Sequence, residues 1–153
     1  MAGALALIAV LAIGGLAARN LQLEQQRDAQ IAQAQSLEYL LDQFDRPGVQ
    51  HALLSREDGS TIAAVVVENG RQEVFPLGMP PNAVDRDTYV LWGIADGAPE
   101  PLGTFDVTGD TQGLLTVGWA ADGGYVAYAV SLEPGRTAPA VPTTVVAKGA
   151  VAA

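Results

Sequence analysis

The chain has 153 residues, no cysteine, one histidine, and 17 acidic against 8 basic side chains, giving a formal net charge of -9. That length suits one modest domain plus an appendage. The few, scattered basic residues disfavour nucleic-acid binding, which needs clustered Lys and Arg, and the lack of cysteine removes disulfides, thiolate nucleophiles, cysteine zinc sites and a lipoprotein anchor together.

Residues 1–18, MAGALALIAVLAIGGLAA, carry no charge and no strongly polar side chain. As a helix at ~1.5 Å per residue the run reaches ~27 Å, just short of a ~30 Å hydrocarbon core. A transmembrane helix and a signal peptide both fit such a run, and a buried core helix is a third option. The membrane helix is favoured, because no Lys or Arg precedes the run to form a basic n-region and Ala12-Ile13-Gly14 is a weak cleavage site. Arg19, taken locally with the positive-inside rule, would put the C-terminal side in the cytoplasm. The abrupt start at Met1 leads us to expect a natural protein that extends further N-terminally.

Residues 19–46 are predicted to continue as a juxtamembrane helical stalk. Between 20 and 44 there is no Gly or Pro, and Gln, Ala, Leu and Glu dominate. Ala34, Leu37, Leu41 and Phe44 make an apolar stripe at 3–4 spacing. The stripe is expected to pack on the following domain, with a short coiled-coil seam as the alternative. Arg46-Pro47-Gly48 ends the helix.

From residue 47 to 149 the pattern is β. Residues 49–55 are short and mixed, and 56–60, REDGS, turn around Asp58-Gly59. Residues 61–68, TIAAVVVE, form an unbroken β-branched run suited to burial on both faces. Asn69-Gly70 is a strong two-residue hairpin signal, because a type I′ turn needs positive φ at both positions, and 71–77 pair back. Residues 78–87 read as a loop, 88–95 as a strand and 96–99 as a turn. Further strands are predicted at 102–107, 114–119 and 125–132, with turns at 108–111 and 121–124. A Pro/Gly crossover spans 133–140. A last strand at 141–147 is placed at an edge, since Pro142 has no donor for a ladder, and 150–153 read as a loose tail. Seven or eight short strands at this spacing predict a mainly β fold, an antiparallel β-sandwich or barrel, with the sandwich as the first choice.

Residues that would carry chemistry are few. His51 would have to serve any Ser/His/Asp triad, and no Ser or Thr sits in an activated-nucleophile motif such as G-x-S-x-G. It reads as an ordinary surface residue. Asp58, Asp96, Asp110 and Asp122 each stand beside turn glycines, where Asp shapes local backbone, with calcium binding as the other option. No catalytic, cofactor-binding or metal-ligating residue is assigned, no cofactor is expected, and the protein is read as a non-enzyme. Trp92 and Trp119 read as core or half-buried packing residues, with an exposed aromatic patch as the alternative.

One set of residues resembles a known family. Tyr89, Leu91 and Trp92, then Asp96-Gly97, then Gly103 and Phe105 are similar to the Tyr-x-Leu-Trp … Leu-Gly-x-Phe signature of the anti-sigma-K factor C-terminal domain. Glu133 and Pro134, followed by Pro139 and Pro142, resemble its terminal Thr-x-Glu-Pro … Pro-x-x-Pro segment, and Leu77-Gly78-Met79-Pro80 its approach to the Tyr-Trp strand. Arg136-Thr137 stands where members often have a further Gly-Ser. The resemblance implies a single-pass bacterial membrane protein with its β-domain outside the cytoplasmic membrane. It implies the lipid bilayer and membrane proteases as partners, with a sigma factor bound only through an N-terminal domain that this chain lacks. The alternative is a secreted or membrane-anchored β-sandwich acting as an adhesion or ligand-binding module. On either reading both faces of the 88–95 strand, Thr88/Val90/Trp92/Ile94 and Tyr89/Leu91/Gly93/Ala95, are apolar enough to be buried. The outer face is expected to lie under the 37–44 stripe.

Overall fold

The computed structural model describes residues 27, 48–95, 98–111, 113–119 and 124–152. The expected membrane helix, the stalk stripe and its packing against the Trp92 strand lie outside the described residues. The chain divides into two units, Met1–Glu38 and Tyr39–Ala153. In the first, Arg27 is helical; the second carries the β-structure.

Eight strands are described: β1 Gln50–Ser55, β2 Thr61–Glu68, β3 Arg71–Pro76, β4 Asp87–Ile94, β5 Glu100–Phe105, β6 Leu115–Trp119, β7 Ala127–Pro134 and β8 Val145–Ala152. They form one sheet in the order β5-β4-β7-β8-β1-β2-β3-β6, with every pair antiparallel. The mainly β, antiparallel expectation holds, but the sandwich does not: a single sheet curls until its end strands, β5 and β6, come together as a nearly closed barrel. Alternating sequence pattern is the same for both architectures, because either one buries every second side chain. What separates them here is a pair of glycines at the seam. A Cβ on Gly103 of β5 would lie 2.2 Å from the Val117 carbonyl oxygen of β6, and one on Gly118 would lie 2.5 Å from the Leu102 carbonyl oxygen. Only bare backbone fits there.

The barrel interior is filled by Leu54, Val65, Val74, Tyr89, Leu91, Tyr128 and Val130 with their neighbours. Two smaller apolar clusters lie on the other face of the sheet. One joins Val49, Ala64, Val66 and Phe75, and the second joins Val90, Trp92 and Ala129. β2 and β4 are therefore buried on both faces, as their unbroken apolar runs require. Two polar groups within the barrel, the Gln72 amide and the Tyr128 hydroxyl, have no hydrogen-bond partner among the described residues.

Local signals were followed closely. β2 has the expected limits, and Asn69 and Gly70 turn with φ of 51° and 80°. Asp58 accepts the Ser60 N–H at 2.9 Å, an Asp-centred turn of the expected kind, and the Thr111 N–H reaches the Thr108 carbonyl at 3.1 Å. The C-terminus departs from expectation. The last strand runs Val145–Ala152, so residues 150–152 of the expected tail lie in the sheet. β8 is also not an edge: it sits between β7 and β1. Pro142 precedes it and costs the ladder nothing. Its sequence, VVAKGAVA, is rich in residues that are weak strand formers in isolation. Their small size suits the close approach of β1, where a Cβ on Gly149 would come within 2.0 Å of the Leu53 carbonyl oxygen.

Candidate functional site

The site is built on the outward face of β4 and β7. Their register sets Thr88 opposite Glu133, Val90 opposite Ser131 and Trp92 opposite Ala129. Trp92 is fully buried, and its indole N–H donates to the Ser131 hydroxyl oxygen at 2.7 Å. Ser131 in turn hydrogen-bonds the Glu133 carboxylate. Serine and glutamate two apart on one strand face the same way, so the relay follows from strand geometry.

Glu133 is also fully buried. Its two oxygens accept the Thr143 N–H at 2.8 Å and the Thr143 hydroxyl. Burial works against its charge, but the bonds from Ser131, from the Thr143 side chain and from the N–H groups of Thr143 and Thr144 outweigh it and hold the carboxyl below its usual range. The carboxylate thereby grips the far end of the loop 135–144, which joins β7 to β8.

The near end of that loop is gripped separately. Gly135 turns with φ of 83° and its N–H reaches the Arg86 carbonyl at 2.7 Å. Arg136 then makes a forked pair with Asp106, at 2.8 and 2.6 Å, and donates to the Asp87 carbonyl at 3.1 Å. Asn82 links the same carboxylate to the backbone. It donates to Asp106 at 2.8 Å and to the Asp87 carbonyl at 2.9 Å, and accepts the Val107 N–H at 2.8 Å. The Arg136 guanidinium holds the Asp106 carboxyl at about 2, with Asn82 and Thr88 adding to the effect against partial burial. Between the two grips, Ala138 packs on the Val90–Trp92 cluster. The loop is thus a strap fixed at both ends over the tryptophan.

Beside the strap runs a groove of about 300 Å³, bounded by Ile94, Pro99, Ala129, Pro142 and Val145, with Arg56, Glu57 and Lys148 at its rim.

The signature residues fall into groups. Tyr89, Leu91 and Phe105 are in or beside the barrel core: Tyr89 and Phe105 stack with ring centres 5.6 Å apart, and the Tyr89 hydroxyl donates to the Pro80 carbonyl at 2.9 Å. Trp92 and Glu133 are joined through Ser131. Gly103 makes the seam. Pro134 is exposed at the end of β7, opposite Asp87, and Pro142 lines the groove. Trp119 departs from the packing expectation. It is 73% exposed, with the Arg71 guanidinium 5.9 Å from its ring centre. His51 is half-buried on β1, opposite Val66 and Ala152. Asp96 and Asp122 lie outside the described residues.

Ser131, Asp106, Asn82 and Thr143 were not singled out from sequence. Only Ser131-x-Glu133 left a local sign, as two polar residues on one face of an apolar strand. Arg136, which looked like a minor departure from the family pattern, is the strap's ionic anchor. Among the described residues there is no group of three or more His, Asp or Glu arranged to hold a metal, and no helix long and apolar enough to cross a membrane.

The described residues thus form a nearly closed antiparallel barrel whose signature residues serve packing, strand closure and a strapped tryptophan. Residues 1–146 match the family described as "Anti-sigma-K factor rskA, C-terminal", and the chain belongs to that family. It is thus an anti-sigma regulatory domain. Comparison with curated proteins and with solved structures gave no match.

Proposed function

We propose that this chain is the membrane-anchored sensory part of an anti-sigma factor, with its β-barrel outside the cytoplasmic membrane. The observation that carries the reading is the family match over residues 1–146, which takes in the apolar 1–18 run and the polar 19–46 segment as well as the barrel. In this reading residues 1–18 anchor the chain in the bilayer. The segment 19–46 is the stretch that a membrane-associated protease cuts, and the barrel governs that cut. Release of the sigma factor, held by an N-terminal domain of the kind that full-length members carry, then changes transcription. The barrel is a regulator in this scheme and not an enzyme. The test is protease accessibility on spheroplasts expressing the full-length protein with a C-terminal tag. Added protease should degrade the barrel while a cytoplasmic control protein survives. Survival of the barrel until the membrane is lysed would overturn the proposed orientation.

A further inference from the structure

The groove beside the strap combines a mostly apolar lining with two cationic side chains. Its floor is Ala129, the outward residue of β7 in a row that runs from Ser55 through Lys148 and Ala129 to Trp92 across β1, β8, β7 and β4. Alanine between a long lysine on one side and a tryptophan on the other leaves a trough in the sheet surface. Ile94 and Pro99 bound it on one side, with Pro142 of the strap and Val145 completing the walls. Val145 is 50% exposed. At about 300 Å³ the trough is at the small end of the ~300–1,000 Å³ typical of small-molecule sites, and its mostly apolar lining with a few charged groups is also typical.

The charges select the ligand. Arg56 and Lys148 line the groove together with one acid, Glu57. Among the described lining residues two cations stand against one anion, in a chain whose net charge is -9. Lys148 is the chain's sole lysine, it is exposed, and among the described residues it makes no ion pair. The Arg56 field extends to Asp58 and Tyr89. Both cations line the groove, Arg56 following Ser55, the register partner of Lys148.

We infer that this groove binds a small, singly anionic molecule with an apolar body, such as an aryl or acyl carboxylate. The body lies on Ala129 between Ile94, Pro99, Pro142 and Val145, and the carboxylate meets Lys148 and Arg56. The inference rests on the groove itself and stands whether or not the barrel is extracytoplasmic.

Because Lys148 is the sole lysine, its amine is a clean reporter. The full chain in nanodiscs is treated with an amine-acetylating reagent, and the rate of Lys148 acetylation is read by mass spectrometry of the C-terminal peptide. 4-Phenylbutyrate should slow acetylation at least threefold with saturation. 4-Phenyl-1-butanol, with the same body and no charge, and acetate, with charge and no body, should not. Arg56→Glu should abolish the protection while circular dichroism shows the barrel intact. Ala129→Leu, which fills the floor, should abolish it too, with Lys148 still freely acetylated. Absence of protection by 4-phenylbutyrate, equal protection by either control, or protection that persists in both variants would each overturn the inference.

Discussion

Glu133 sits where burial alone would favour a neutral carboxylic acid, yet it is held as a carboxylate. The reason is the number of donors aimed at it: Ser131, the Thr143 hydroxyl, and the N–H groups of Thr143 and Thr144. Charge-assisted bonds of this kind are about twice as strong as neutral ones. Glu133→Gln keeps the shape and removes the charge, and its amide presents donors to the Thr143 N–H or hydroxyl. The expected loss is ~1.5–3 kcal/mol of stability by urea unfolding, the range for hydrogen bonds to charged groups. The indole emission should also change, since Trp92 is bonded to Ser131, itself a partner of Glu133. An unaltered midpoint and spectrum would mean that the strap does not depend on this carboxylate. Trp92 thus acts through packing and one hydrogen bond, beneath a loop that Glu133 and Asp106 secure from its two ends.

At the scale of elements, the seam between β5 and β6 decides the architecture. Gly103 and Gly118 let the two backbones approach more closely than any side chain allows. In Gly103→Ala the new methyl would meet the Val117 carbonyl oxygen at 2.2 Å, and that neighbour is backbone and cannot rotate away. We expect ~1–3 kcal/mol of destabilisation, the usual range for overpacking. The local sign should be faster amide exchange in β6, Leu115–Trp119, with protection retained in the β4–β7 pair. Unchanged exchange in β6 would show that the seam does not hold that strand. β8 makes the complementary point. Weak as its own strand tendency is, it bonds to β7 on one side and β1 on the other, and two partners outweigh propensity.

For the whole molecule, the buried and clamped groups set a pH window. The Asp106 carboxyl is lowered from 3.8 to about 2, and Glu133 is lowered as well. Both then contribute stability that is fully present above their ordinary carboxylate range and is lost as pH falls through the folded values. Tyr128 goes the other way: burial, with Tyr125 adding to it, pushes its hydroxyl from 10.0 up to about 12. Its contribution is fully present below pH 10 and is lost as pH rises toward 12. Melting temperature should therefore be flat through neutrality, fall between about pH 4 and 2, and fall again between about pH 10 and 12. Asp106→Asn should shrink the acid slope, and Tyr128→Phe the alkaline one. Slopes identical to the parent in both variants would remove these groups from the account.

What was legible in the sequence was local. The β2 run, the Asn69-Gly70 turn, the Asp58 turn and the two apolar faces of β4 each follow from spacing and side-chain type within a few residues. The family followed from the Tyr89, Leu91, Trp92, Gly103 and Phe105 set, although the reason for that set did not. Gly103 is fixed by a strand that touches it from across the barrel, and Glu133 by a loop that returns to it ten residues later. One curled sheet and two packed sheets write the same alternation, and a strand such as β8 gains its strength from neighbours far away in the chain. The sequence by itself determined the β2 strand, the Asn69-Gly70 and Asp58 turns, the two-faced burial of β4 and the kinship. Closure of the barrel, the central place of β8, the strap over Trp92 and the groove beside it were decided only by tertiary structure, because each depends on which distant backbones lie close enough to bond or to exclude a side chain.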